Sequence, residues 1–174
     1  MTAKDNYFRK TAEIGDARNA KIEKVKSDIS IFRKSMLALA GDIKHWLQGS
    51  DVVVETPIIP LKDKSISKFF PECENLSTYD ITFIQILQRD NKVFYIIPDC
   101  IYAEPDFLSK EVIKGQALLI EKRENPTRFM LCSNGQDVWK IRSDRAPITF
   151  HDPLVHPLEP FTEEKFFEML QQFA

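Results

Sequence analysis

Residues 22–46 read IEKVKSDISIFRKSMLALAGDIKHW, and the apolar positions in this stretch decide the fold. Ile22, Val25, Ile29, Phe32, Met36, Leu39, Ile43 and Trp46 recur at alternating steps of three and four. That spacing gathers them on one stripe of a helix, in a heptad seam. The helix is expected to run from Asp16, acting as N-cap, to Gln48, with Gly49 as its left-handed stop. Gly15-Asp16 reads as a break, which leaves residues 1–15 as a flexible leader or a short separate helix.

The two halves of this helix differ in kind. In residues 17–34 the seam is narrow and flanked by Arg18, Lys21, Lys24, Lys26, Arg33 and Lys34, against only Glu23 and Asp28. Further along, Leu37, Ala38, Ala40 and Leu47 widen the apolar face to the width of a buried one. The second half is therefore expected to lie on a sheet, with residues 16–34 projecting.

The sheet is read from the remainder of the chain. Val52 to Leu61 is extended, but Pro57 and Pro60 cannot donate to a ladder, so it is assigned to an edge strand or to a strand followed by a strap. Residues 62–80 show no period beyond a turn of helix at Ser65 to Phe70. Ile81 to Arg89 and Lys92 to Pro98 are apolar on both faces and are read as a central hairpin turning at Asp90-Asn91. A short helix is expected from Glu104 to Lys114, with Pro105 at its start and Gly115 as its stop. Gln116 to Arg123, Thr127 to Ser133 and Gln136 to Arg142 form a meander, turning at Asn125-Pro126 and Asn134-Gly135. Four prolines make residues 143–161 an extended strap. Thr162 caps a last helix from Glu163 to Phe173, with Phe161 and Phe166 as a hydrophobic staple. The expected fold is α+β: an antiparallel sheet of about five to six strands, with the long N-terminal helix and a C-terminal helix packed on it. Residues 16–174 are read as a single domain.

Bulk properties narrow the function classes. A length of 174 residues with 43% hydrophobic content supports one sizeable core. The net charge of −2 provides no general attraction to nucleic acid or anionic membrane. Cys73, Cys100 and Cys132 are scattered and odd in number, which indicates reduced thiols and a cytoplasmic setting. The opening MTAKDNYFRK is charged, so no secretory signal is expected, and no apolar run is long enough to span a membrane.

No motif for nucleophilic, phosphate-binding or metal chemistry stands in the chain, and no cofactor or metal is expected. His151 and His156 flank a proline at a spacing unlike ordinary ligand pairs. The basic helix face lacks interleaved aromatics, so a solvated face is preferred to a nucleic-acid track. Glu72, Glu74 and Asp80 precede the central hairpin, and Glu104 and Asp106 follow it. Acidic loops meeting at one sheet end would attract a basic protein partner. Together with the seam residues Ile22, Val25 and Ile29, these form the expected partner-binding set. The expected function is a non-catalytic protein-binding domain, of the immunity-like inhibitor kind, that masks a functional surface of a toxin or effector. The alternatives are a small enzyme using Glu72, Asp80, Tyr102 or His151 between the 62–80 loop and the strap, and an assembly protein that oligomerises through the helix.

Overall fold

The long helix begins earlier than its periodicity suggests. In the computed structural model, which describes residues 2–88, 93–104, 110–121, 128–143 and 156–171, α1 spans Ala3–Trp46. A capping box starts it: the Thr2 hydroxyl accepts from the Asp5 N–H at 3.2 Å, and the Asp5 carboxylate accepts from the Thr2 N–H at 2.9 Å. The Gly15-Asp16 pair does not break the helix. A glycine costs only about 1 kcal/mol against alanine inside a helix, and extension from an established helix needs no new nucleus. At the other end Leu47 is the C-cap, and Gly49 takes the expected left-handed backbone at φ 83°.

The class is α+β, with two sheets rather than one. The large sheet runs in the order β1 (Val53–Glu55), β4 (Ile84–Leu87), β5 (Val93–Cys100), β6 (Gly115–Glu121), β7 (Arg128–Ser133), β8 (Trp139–Ser143), β9 (Glu159–Pro160), and its paired strands are all antiparallel. A second sheet pairs β2 (Ile58–Lys62) with β3 (Thr78–Thr82). Between β2 and β3 lie α2 (Lys64–Phe69) and a 3₁₀ segment (Pro71–Leu76). Two continuous apolar runs, Val52 to Leu61 and Ile81 to Leu87, are thus each divided between the two sheets. Pro57 separates β1 from β2, and Phe83 separates β3 from β4, with the Phe83 N–H donating to the Pro57 carbonyl at 2.9 Å.

One face of the large sheet is covered by α1. Ile84, Ile86, Ile96, Ala117, Leu119 and Leu131 are fully buried, facing Phe32, Met36, Leu39 and Ile43. The Trp139 indole N–H donates to the Ser35 carbonyl at 3.3 Å, tying β8 to the helix. The opposite face is only half-buried at Tyr95, Ile97, Leu118 and Met130, so the central strands are not covered equally on both sides.

Gly115 is the first residue of β6 and not a helix stop. A Cβ there would sit 2.4 Å from Cδ2 of Phe32, so the bare backbone makes room for the ring. Lys110 to Ile113 are not helical, and Lys110 has φ 56°, which a right-handed helix does not accept. The β7–β8 connection spans residues 134–138 rather than a two-residue turn. The Asn134 side chain accepts from the Gln136 N–H at 2.9 Å, and Gly135 and Asp137 both have positive φ.

Helix α3 (Glu163–Gln171) closes the core beside α1. Thr162 caps it, accepting from the Lys165 N–H at 3.2 Å. The Phe161 and Phe166 rings meet at 6.1 Å, as the staple requires, and both pack on Trp46. The Asp90-Asn91 and Asn125-Pro126 turns, His151 and Phe173 lie outside the described residues.

Candidate partner-binding surface

Residues 2–20 are exposed at every position, and α1 first enters the core at Val25. About 27 Å of helix, at 1.5 Å per residue, therefore stands clear of the described domain. Tyr7, Phe8 and Ile14 are 68%, 57% and 71% exposed, an unusual outlay of large apolar side chains on a bare helix. Tyr7, Thr11 and Ile14 stand at i, i+4 and i+7, on one face. Continued at helical spacing through Arg18, the same face becomes the buried one at Val25, Ile29 and Phe32. Lys4, Lys10 and Arg18 lie on or beside this stripe, whereas Asp5, Glu13 and Asp16 fall on the opposite side. The arm thus presents Tyr7 and Ile14 on one face with basic residues on or beside it, and Phe8 to one side.

Where the arm leaves the domain, several contacts fix it. Lys21 meets Glu72 of the 3₁₀ segment at 2.5 Å. That hydrogen bond holds the Glu72 carboxyl below its usual range and raises the Lys21 ammonium. One turn on, Lys24 bonds Asp28 and lies 5.7 Å from the Phe70 ring centre and 5.3 Å from that of Tyr102. The Tyr102 hydroxyl donates to the same Asp28 oxygen, Oδ2, at 2.7 Å. Burial, with Asp28 adding, pushes that hydroxyl well above the ordinary tyrosine range. Farther along, Arg33 Nε donates to the Asp80 carbonyl at 2.6 Å and its guanidinium lies 5.7 Å from the Tyr79 ring centre.

Beneath these contacts lies a buried carboxylate, Asp63. It accepts from the Ser65 N–H and hydroxyl at 2.9 and 2.5 Å, from the Tyr79 hydroxyl at 2.8 Å and from the Ile101 N–H at 2.8 Å. The Tyr102 N–H donates to the Ser65 hydroxyl at 3.1 Å. Hydrogen bonds therefore run from Asp28 on α1 through Tyr102 and Ser65 to Asp63.

The expected binding residues distribute as follows. Val25 and Ile29 are core residues, 0% and 6% exposed, and Ile22 is half-buried against them, because α1 packs there on the 3₁₀ segment and β3. The exposed portion of the helix lies before them, not among them. Glu72 faces Lys21, and Glu104 pairs with Lys68 at 3.3 Å on another side of the 3₁₀–α2 segment. Glu74 and Asp80 are exposed, and Asp106 lies outside the described residues. Of the residues weighed for catalysis, Tyr102 is bound to Asp28. His156 lines a hollow of about 250 Å³ with Phe129, Ile141 and Lys165.

Asp63 escapes the sequence reading, and Tyr7, Phe8 and Ile14 stand out in it only as apolar residues of a leader or short helix whose Phe8 docks elsewhere, not as part of α1. These three fall before Gly15, in the stretch set aside as a leader, although the Thr2/Asp5 capping box signals the true start. Asp63 has no apolar period around it; the Asp-x-Ser cap pattern is its one local mark.

Among the described residues, no helix is long and apolar enough to cross a membrane, and no group of three or more His, Cys, Asp or Glu is placed to hold a metal. No protein-family model, curated protein or solved structure matches this chain.

Proposed function

We propose that this chain is a non-catalytic protein-binding domain that lays its N-terminal helical arm into a groove of a partner protein and masks that surface. The observation that carries this reading is the exposure of Tyr7, Phe8 and Ile14 on a helix that makes no other use of them in the described domain. Tyr7 and Ile14, seven residues apart on one face with Phe8 beside it, have the spacing of two anchors by which helices dock in apolar grooves. Lys4, Lys10 and Arg18 along that face favour a groove with an acidic rim. The acidic residues Glu72 and Glu104 are engaged by Lys21 and Lys68, which lowers their weight as the attracting charge. The immunity-like inhibitor role and the toxin or effector partner are the specific form of this proposal.

The test is to isolate a bound protein from native lysate, then measure its affinity for purified variants. Tyr7→Glu and Ile14→Glu should each cost about 2 kcal/mol, roughly thirtyfold in affinity, as anchor residues do. Lys4→Glu/Lys10→Glu should weaken binding more at low salt than at high salt. Undiminished affinity in a chain lacking residues 2–20 would remove the proposal. A homodimer dissolved by the same substitutions would reassign the arm to self-association and overturn the masking role.

A further inference from the structure

Away from the arm, α2 and the outer face of the large sheet enclose a cleft of about 720 Å³. That volume is within the range of small-molecule sites, roughly 300–1,000 Å³. Its apolar floor and wall include Phe69, Tyr102, Ile113 and Met130. Phe69 is 47% exposed and stands edge-on to Tyr102, with ring centres 6.2 Å apart, so a flat group can lie against it.

The charge around the cleft is unbalanced. Lys62, Lys64, Lys68 and Arg142 line it, against Asp99 and Glu104. Glu104 is taken by Lys68, and Asp99 accepts from the Gln116 side chain at 2.9 Å. Arg142 Nη2 lies 3.3 Å from the Met130 sulfur. Lys62 and Lys64 make no ion pair with a described residue. They flank Asp63 in the chain, and Asp63 is pinned inward by four hydrogen bonds. Its neighbours are thereby held outward, and two cations reach the cleft in a chain whose overall charge is −2. Positive charge beside an apolar ring platform is the arrangement that selects an anion with a flat apolar body.

We propose that this cleft binds a small organic anion, an aryl carboxylate, sulfonate or phosphate, with its acidic group on Lys62 and Lys64 and its ring against Phe69. No covalent step is involved. The Cys100 thiol in the wall is half-buried, and its pKa is driven up by loss of solvent and by Asp99, which keeps it a poor nucleophile.

The test uses the full chain and two dyes that share a ring system: 8-anilinonaphthalene-1-sulfonate and its uncharged relative N-phenyl-1-naphthylamine. The sulfonate should bind saturably, once per chain, with a rise in fluorescence. Lys62→Glu/Lys64→Glu should weaken it at least about tenfold, the scale of two exposed cations lost within a Debye length. The uncharged dye should change less than about twofold in the same variant. Tyr7→Ser/Ile14→Ser should leave the sulfonate unaffected, which separates this cleft from the arm. If the double glutamate variant does not fold by circular dichroism, Lys62→Gln/Lys64→Gln serves instead. The absence of saturable binding, equal affinity in variant and parent, or equal loss for both dyes would each overturn the proposal.

Discussion

Replacing Asp63 by asparagine keeps the size of the side chain and removes its function as a four-fold acceptor. Each carboxylate oxygen is bound by one backbone N–H and one hydroxyl: Ser65 N–H and Oγ on one, Ile101 N–H and the Tyr79 hydroxyl on the other. The amide of asparagine turns one of these oxygens into a donor. Whichever way it is placed, one backbone N–H then faces another N–H. The hydroxyl of that pair can rotate and accept, but the backbone cannot. Asp63 has no exposed surface, so water does not replace the lost acceptor. A hydrogen bond to a charged group contributes about 1.5–3 kcal/mol, and an orphaned buried N–H costs about 1–3 kcal/mol. The expected destabilisation is therefore about 3–5 kcal/mol. For a chain of this length the melting temperature should fall roughly 10 °C. Urea denaturation followed by circular dichroism measures the change, with the midpoint lowered and the slope unchanged. Ser65→Ala, which removes one hydroxyl donor to Asp63 and the acceptor of the Tyr102 N–H, should cost about 2 kcal/mol. An Asp63→Asn protein within about 1 kcal/mol of the parent would refute the view that this carboxylate ties α2 to β3 and to the end of β5.

Two further outcomes follow from the core. Gly115→Ala should destabilise by about 1–3 kcal/mol through its clash with the Phe32 ring, and Phe32→Leu should relieve part of that cost; strictly additive effects in the double-mutant cycle would refute the contact. Burial raises the Tyr79 hydroxyl above its ordinary value, with Asp63 adding to the rise. Stability carried by a raised folded-state pKa is whole below the unfolded value, near pH 10, and declines as pH climbs past it, by at most about 1.4 kcal/mol per pH unit. Tyr79→Phe should flatten that decline in alkaline denaturation, and identical slopes in the two proteins would count against it.

The C-terminal half of α1 and the central strands were legible because burial imposes a period. Met36, Leu39 and Ile43 repeat at helical spacing, and Ile84, Ile86, Phe94 and Ile96 alternate, and all are buried where the pattern places them. Boundaries were less legible, since apolar continuity hides a change of sheet. The run from Ile81 to Leu87 looks like one strand, yet it contributes Ile81 to the small sheet and Ile84 to the large one. The seam was ambiguous for a related reason. A narrow stripe at Ile22, Val25 and Ile29 suits either packing within the domain or a second helix. Here a small sheet and a 3₁₀ segment, neither of which has a regular apolar signature, provide the cover. Asp63 is the clearest illegible element: its importance comes from Tyr79 and Ile101, which are distant in sequence.

The exit of the arm bears on how tightly the proposed partner could be held. A helix extending from a domain without cross-links would sweep a wide cone, and capture would cost that freedom. Here the last turns before the exit are held by charge and aromatic contact as well as by apolar packing. Lys21 reaches Glu72, and Lys24 joins Asp28 to the Phe70 and Tyr102 rings. Tyr102 in turn joins Asp28 to Ser65 and, through it, to the buried Asp63. The direction of α1 is therefore set also by Phe70, by Glu72 of the 3₁₀ segment and by Tyr102 just after β5, not only by its own stripe on the large sheet. Beyond Lys21 the helix is kept regular by continuity with its packed half and by the cap at Thr2. An arm preformed in shape and direction loses less entropy on docking than a leader that folds as it binds. Breaking the anchor with Tyr102→Phe should then weaken the proposed partner's binding without touching any residue of the arm's apolar face.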